Sequence, residues 1–313
     1  MTDLVIRPLE AGEEALFLSL SDLSPSDLSP SDPALVGVAS IGRSFTETLK
    51  SRQYRPEWTY VALDDGRVVA RAAWWAGPDD AQPRTLDWFD PGADLRVGAA
   101  LLRAAPFRCE YCLILPPAWR DQPNVRAAAE ARIEAAGLAG YRPYVERLRY
   151  TWMPADGLPE RPARLRYRPA PDDDAVLDVL RQVHSVTLDA HERRTAERLG
   201  AEAAASEELE FLRWLPGPRD WWRLAYDEVG ALVGIVVPSR NYASPIIAFV
   251  GVVPGQRGHG YGYDLLVEGT HLLVAEGVEQ IAADTDTTNT PMAAVFARAG
   301  YPITQQRIML SLE

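Results

Sequence analysis

Apolar and polar positions alternate most clearly in the second half of the chain. Residues 164–169 read as a short strand, and Val176, Leu177, Leu180 and Val183 recur at helical spacing after Asp172-Asp-Asp174. Those aspartates place negative charge where the unpaired amides of a helix start favour it. Residues 190–214 form a further helical region, and residues 222–227 and 231–238 flank Asp227-Glu-Val-Gly230 as a hairpin. An apolar strand over residues 246–253 stops at Pro254 and a glycine-rich loop. Leu265, Leu266, Gly269, Leu272 and Leu273 then line the core face of a helix that ends near Gly277. Residues 278–283 read as a strand, 291–298 as a short helix closed by Gly300, and 303–312 as the last strand. The predicted order is β-α-α-β-β-β-α-β-α-β, an α/β pattern.

The first half repeats the second. Leu4-Val-Ile-Arg-Pro8 matches Leu165-Arg-Tyr-Arg-Pro169 at an offset of 161, and Trp58-Thr-Tyr60 matches Trp222-Arg-Leu224 at 164. Asn124, before an alanine-rich helix, matches Asn289 at 165, and Ala139-Gly-Tyr141 matches Ala299-Gly-Tyr301 at 160. Four matches in one order at nearly constant offset imply two copies of one domain. The expected domains are residues 1–153 and 164–313, joined by a proline-containing linker over 154–163. Ser21-Asp-Leu-Ser-Pro25 recurs as Ser26-Asp-Leu-Ser-Pro30 and reads as an expanded surface loop.

Composition narrows the class. A chain of 313 residues, 47% hydrophobic, has ample apolar content for two packed cores. The net charge of −12 argues against a nucleic-acid binder working through a general basic surface. Residues 1–150 carry 21 acids and 17 bases, a net −4, which leaves −8 for the remainder. Cys109 and Cys112 are the only cysteines; without a second ligand pair they make no zinc site, and they are expected to be buried and inert. No stretch approaches the roughly 18 apolar residues of a membrane span, so a cytoplasmic protein is expected.

The glycine loop, Pro254-Gly-Gln-Arg-Gly-His-Gly-Tyr-Gly262, lies between a strand and a helix start. There, unpaired amides and a partial positive charge favour phosphate, and glycines permit close approach. Gly258, Gly260 and Gly262 are spaced G-x-G-x-G, which is not the dinucleotide spacing, and no lysine follows them as in a triphosphate P-loop. What remains is Arg-x-x-Gly-x-Gly, supplied by Arg257, Gly260 and Gly262.

That motif after Val252-Val-Pro254, together with Asn289-Thr-Pro-Met292 opening a helix that ends Ala299-Gly-Tyr301, resembles the GNAT superfamily of acyl-CoA N-acyltransferases over residues 164–312. The resemblance implies two tandem GNAT-like domains, each a mixed, mostly antiparallel twisted sheet flanked by helices. It implies acetyl-CoA as co-substrate, with no metal, and a small amine-bearing acceptor. Val252 and Val253 would meet the pantetheine amides. Arg257, Gly258, His259, Gly260, Tyr261 and Gly262 would cradle the pyrophosphate, and Asn289 would bond near the thioester. The strand before the loop would splay from the next one, freeing an N–H near Val252 for the oxyanion. Neither nucleic acid nor membrane is an expected partner, and the chain is expected to be a monomer or homodimer.

The chemistry is less determined. The position at which the family commonly places a proton-donating tyrosine is Phe296. Three readings remain open: a hydroxyl such as Tyr242, Tyr263 or Thr285 substitutes, the thiolate leaves unaided, or the domain binds acyl-CoA without catalysis. Asp284 and Asp286, at the end of the next strand, are the candidate bases, with helix capping as the alternative role of Asp286. His184 and His191 fall between helices that roof the substrate pocket in the family, but a lone helical histidine is more often structural. Trp214, Trp221 and Trp222 read as core. In the first half, Asp94-Leu-Arg-Val-Gly98 stands where the loop should be, and this copy is expected to hold no cofactor.

Overall fold

Residues 4–20, 36–37 and 44–312 are described by the structure, a computed structural model; the Ser-Asp-Leu-Ser-Pro repeat lies outside them. The chain divides into two compact units, one of Met1–Arg147 with Gln305–Glu313, the other Leu148–Thr304.

The second unit contains β7 (Arg166–Pro169), α5 (Asp173–His184), α6 (Ala190–Leu199), α7 (Ala201–Trp214), β8 (Arg223–Tyr226), β9 (Leu232–Arg240), β10 (Pro245–Val252), α8 (Tyr261–Ala275), β11 (Ile281–Asp286) and α9 (Thr290–Arg298). The helical region predicted over residues 190–214 is two helices, because Gly200 between them adopts φ +88°, a left-handed value that stops an α-helix. Strand order is β11-β10-β9-β8-β7, antiparallel throughout except for the parallel β10–β11 pair. Successive strand residues serve opposite faces. Ala225, Val236, Ile247 and Ala283 join Leu265, Leu266 and Phe296 in one core, while Leu224, Ile235, Ile246 and Ala282 join Val176, Leu180 and Leu212 in the other. Helices α8 and α9 therefore cover one face, and α5 and α7 the other.

The first unit contains β1 (Val5–Pro8), α1 (Glu14–Leu18), α2 (Phe45–Lys50), β2 (Thr59–Asp64), β3 (Arg67–Trp75), β4 (Thr85–Asp90), α3 (Leu95–Ala104), β5 (Glu110–Leu115), α4 (Pro123–Leu138) and most of β6 (Tyr141–Trp152). It also holds most of β12 (Ile303–Leu312), which pairs antiparallel with β5 from Gln306↔Leu115 to Leu310↔Tyr111. Its parallel pair, β4–β5, is registered only at Thr85↔Glu110 and Leu86↔Tyr111. The two halves share further local features. A helix, a glycine and a buried tyrosine follow one another at Gly140-Tyr141 and at Gly300-Tyr301. Asn124, however, lies inside α4 rather than capping it as Asn289 caps α9.

The unit boundaries depart from the sequence expectation, and side-chain packing gives the reason. Tyr150 and Trp152, expected in the first domain, lie in the core of Phe296 and Tyr301. Ile308 and Leu310, expected in the second, pack with Tyr111 and Leu113. The predicted linker is part of the second unit: Trp152 Nε1 donates to Gly157 O at 3.0 Å, and His271 Nε2 lies 2.7 Å from Pro159 O. Among the described residues no helix is long and apolar enough to cross a membrane.

Two predictions follow from the packing. A Cβ on Gly269 would approach Ile247 Cδ1 and Val236 Cγ2 at 2.9 Å, so α8 lies as close to the sheet as a glycine permits. Gly269→Leu should cost about 1–3 kcal/mol in urea unfolding through overpacking. Cys112 is buried, and burial pushes the Cys109 thiol up to about 11. Both thiols should be inert to a disulfide reagent at pH 8 in the native protein and react fully once it is unfolded.

Candidate acyl-CoA site

Strand β10 pairs with β9 from Pro245↔Arg240 to Val252↔Gly234, but with β11 it is registered only at Ile246↔Ala282. The two parallel strands therefore part toward their C-terminal ends, where Val252 and Asp286 lie. Val253 N–H donates to Val233 O at 2.9 Å, on the β9 side. Ladder groups alternate along a strand, so Val250 and Val252 direct theirs toward β11, into the opening. Val253 is placed differently. Its N–H serves β9 and its carbonyl accepts from Gln256 N at 3.0 Å, so of the predicted valine pair it is Val252 that faces the opening.

The loop after Val253 turns through Pro254–Gln256 and enters α8 with Gly260 as N-cap at φ +77°. No side chain caps this helix. A Cβ on Gly255 or Gly258 would meet nothing within 4 Å, and one on Gly262 only Val295 Cγ2 at 3.6 Å. Backbone amides at the start of α8 are thus reachable by a bulky anion. Arg257 is less free than its sequence position suggested. Its Nε donates to Val252 O at 3.3 Å and its Nη1 to Val186 O at 2.6 Å, so it ties the α5–α6 connection to the loop. The His259 ring is exposed and stacks on Tyr261, with centroids 5.7 Å apart.

Sequence reading missed Arg164. Its Nη1 donates to His259 O at 3.1 Å, its guanidinium lies 5.0 Å from the Tyr261 ring centroid, and it pairs with Asp264. Burial pushes the Asp264 carboxyl above the usual carboxylate range, and Arg164 opposes that shift. Arg298, 3.9 Å from the Tyr263 ring centroid, adds a third guanidinium near the start of α8. Neither residue belongs to a linear motif; only the fold brings them to the loop.

Asn289 Oδ1 accepts from Met292 N at 3.3 Å and so caps α9. Asp284 is ion-paired with Arg149. Asp286 is 1% exposed, and its Oδ2 accepts from Ala190 N at 2.7 Å. It therefore supports the start of α6, where the sequence had suggested a cap on α9. Phe296 is core, stacked on Tyr150 with centroids 4.3 Å apart. Of the alternative hydroxyls, Thr285 is buried in β11 and Tyr263 lies in the first turn of α8. Tyr242 precedes β10, at the opposite end from Val252, roughly 20 Å or more away at strand rise. His184 is buried beside Phe249, Trp221 and Trp222 are core, and Trp214 packs on Phe211.

In the first unit the corresponding helix, α3, is capped by Asp94, whose side chain accepts from Arg96 N at 2.9 Å. A Cβ on Gly98 would clash with Pro91 at 2.6 Å, so the turn is filled by protein. An anion there would meet a carboxylate already in place.

The Acetyltransferase (GNAT) family model matches residues 186–301, just over a third of the chain. No curated protein matches in sequence. A GCN5-related N-acetyltransferase from Sphaerobacter thermophilus is similar in structure, with TM-score 0.60 and 16% identity over 98% of this chain and 94% of that one. A tandem GNAT protein from the clavulanic acid biosynthesis pathway aligns with TM-score 0.53 and 17% identity over 98% of both chains. A glucosamine N-acetyltransferase region of a fungal multi-domain GH3 β-N-acetylglucosaminidase gives TM-score 0.55 and 14% identity over 99% of this chain and 38% of that one. At these identities the structural likeness is one of fold. The match to the GNAT family model thus falls within the second unit, and the chain has the fold of two tandem GNAT-like domains.

Because Asp286 is buried and holds the first amide of α6, Asp286→Ala should lower stability by about 1–2 kcal/mol in urea unfolding. A loss of unfolding free energy below about 0.3 kcal/mol would mean that the contact does not support the helix.

Proposed function

We propose that the second unit transfers an acetyl group from acetyl-CoA to a small amine-bearing molecule. The supporting observation is the uncapped, open start of α8 beside strands that part at Val252. Amides of the first turn, with Arg257, Arg164 and Arg298 around them, suit a pyrophosphate. The groups of Val250 and the carbonyl of Val252 that turn toward β11 suit the pantetheine amides, which would pair with β10 as an added strand does. Asn289 is proposed to bond near the thioester through its amide nitrogen. His259 and Tyr261 would contribute backbone more than side chain.

In this reading a neutral amine attacks the thioester carbonyl to form a tetrahedral intermediate, the Val252 N–H meets its oxyanion, and the C–S bond breaks as the intermediate collapses to the amide. Asp284 and Asp286 stand at the end of β11 and are assigned the amine's proton. Their contacts to Arg149 and Ala190 N fix the carboxylates in place for it. Phe296 has no proton to give, so the thiolate leaves without a phenol at that position. A thiolate, with conjugate-acid pKa of about 8.5, departs tolerably unaided. Phe296 also supports a second reading, a domain that binds acyl-CoA without turnover.

The test measures CoA binding by calorimetry and free-thiol release with acetyl-CoA and an amine panel. Binding with amine-dependent thiol release is expected. Binding without release across the panel would favour the non-catalytic reading, and no binding would overturn both. Gly262→Asp sharpens the test. Gly262 has ordinary helical geometry and room for a side chain, whereas Gly260 sits at positive φ. An aspartate in the first turn favours the helix by about 0.3–1 kcal/mol, yet it would repel a pyrophosphate. CoA affinity should fall at least about tenfold, or ~1.4 kcal/mol, with folding stability unchanged or raised.

A further inference from the structure

Beyond the acyl-CoA site, the α5–α6–α7 face holds a group of side chains that acyl transfer leaves unexplained. His184, in the last turn of α5, has a side chain only 1% exposed, and neither ring nitrogen makes a hydrogen bond. A buried imidazole left so is destabilising, and buried polar groups in native proteins are rarely left unpaired. Glu192 from α6 brings Oε2 to 3.7 Å from His184 Nε2, beyond hydrogen-bond reach. Glu208 from α7 completes the group, and one ligand atom from each of the three lies within 4.8 Å of the others.

We propose that His184, Glu192 and Glu208 bind one divalent transition-metal ion, zinc(II) being the probe ion, and that this ion fastens α6 to α5 and α7. One imidazole and two carboxylates carry a charge of −2, which a divalent cation balances. An imidazole binds a metal through the ring-nitrogen lone pair of its neutral form. Metal bonds of about 2.0–2.2 Å require ligand atoms roughly 3.3–3.5 Å apart in a tetrahedral site, so rotations of about an ångström would close this one. Phe249, with its ring centroid 6.2 Å from that of His184, walls one side with apolar surface.

The fold gives such an ion a task. Alone among the described α-helices, α6 has no buried residue. Polar contacts hold it instead: Asp189 caps it and Asp286 receives its first amide. A shared ion would replace the missing apolar anchor. The site does not depend on CoA, so its failure would leave the acyl-transfer reading untouched.

The experiment uses tag-free full-length protein stripped with a chelator, then titrated with zinc(II) by calorimetry and assayed for retained metal after dialysis. One equivalent per chain is expected, with a metal-dependent rise in Tm. His184→Ala and Glu208→Gln should each weaken binding more than about tenfold and abolish the rise. Should His184→Ala not fold, Glu208→Gln and Glu192→Gln, whose residues are less buried, decide the matter, with folding checked by circular dichroism. No bound zinc, or binding unchanged in those two variants, would overturn the proposal. Saturable binding of a primary amine at these residues with no metal retained would also overturn it, and would assign the cluster to the acceptor.

Discussion

The opening between β10 and β11 is the constraint on which the second unit depends. A backbone N–H or C=O away from water must find a partner, and in a sheet interior a neighbouring strand supplies it. Strand β10 has β9 along its whole length on one side, but on the other β11 serves it only at Ile246. Where the strands part, other groups take over: Arg257 bonds Val252 O, and Asp286 turns its carboxylate to Ala190 N. The α5–α6 connection is therefore fixed at both of its ends by the residues that border the opening. A ligand with amides spaced like a strand would extend the same pattern of satisfaction, which is why the opening and the glycine loop are read together.

Comparing the two units separates what the fold provides from what the loop provides. Both have a parallel pair registered at only one or two positions. The difference lies at the next helix start. In α3 the Asp94 carboxylate already occupies the place where first-turn amides would meet an anion, and Pro91 packs against Gly98. In α8 that place is bordered by glycines and three guanidinium groups. A carboxylate and a phosphate satisfy the same amides and the same helix dipole, so a protein can stabilise the helix with its own acid or leave it open for a ligand's. Capping makes the first unit's helix self-sufficient, whereas no side chain caps the second unit's helix start.

Much of this could be read in the chain. Periodicity gave the strands and helices of the second half in order, because each carries its apolar face at its own spacing. It merged α6 and α7, since α6 buries no residue and offers periodicity nothing to detect across Gly200. The glycine loop was legible because its chemistry is local: backbone amides and conformational freedom are set by neighbours in sequence. Arg164 was not, for it reaches His259 O from 95 residues away. The exchange of strand ends between the units was hidden for the same reason. Repeat offsets report ancestry along the chain, whereas Tyr150 and Ile308 are assigned by the cores into which their side chains pack.

Phe296 separates binding from chemistry in the proposed reading. A tyrosine at that position would present its hydroxyl from the edge of the core, while a phenylalanine stacks on Tyr150 and Tyr301 with nothing polar to satisfy. Replacing the phenol therefore removes a desolvation cost and leaves the packing intact, at the expense of a proton donor. In the proposed reading binding is unaffected by that exchange, because backbone and arginine would hold the pyrophosphate and pantetheine. What turnover remains then rests on position: the held carbonyl, the Val252 N–H and a leaving group able to depart as its anion. General acid catalysis is worth about 10²–10⁴-fold, so an enzyme built this way forgoes that factor while it keeps the larger ones supplied by orientation and oxyanion stabilisation.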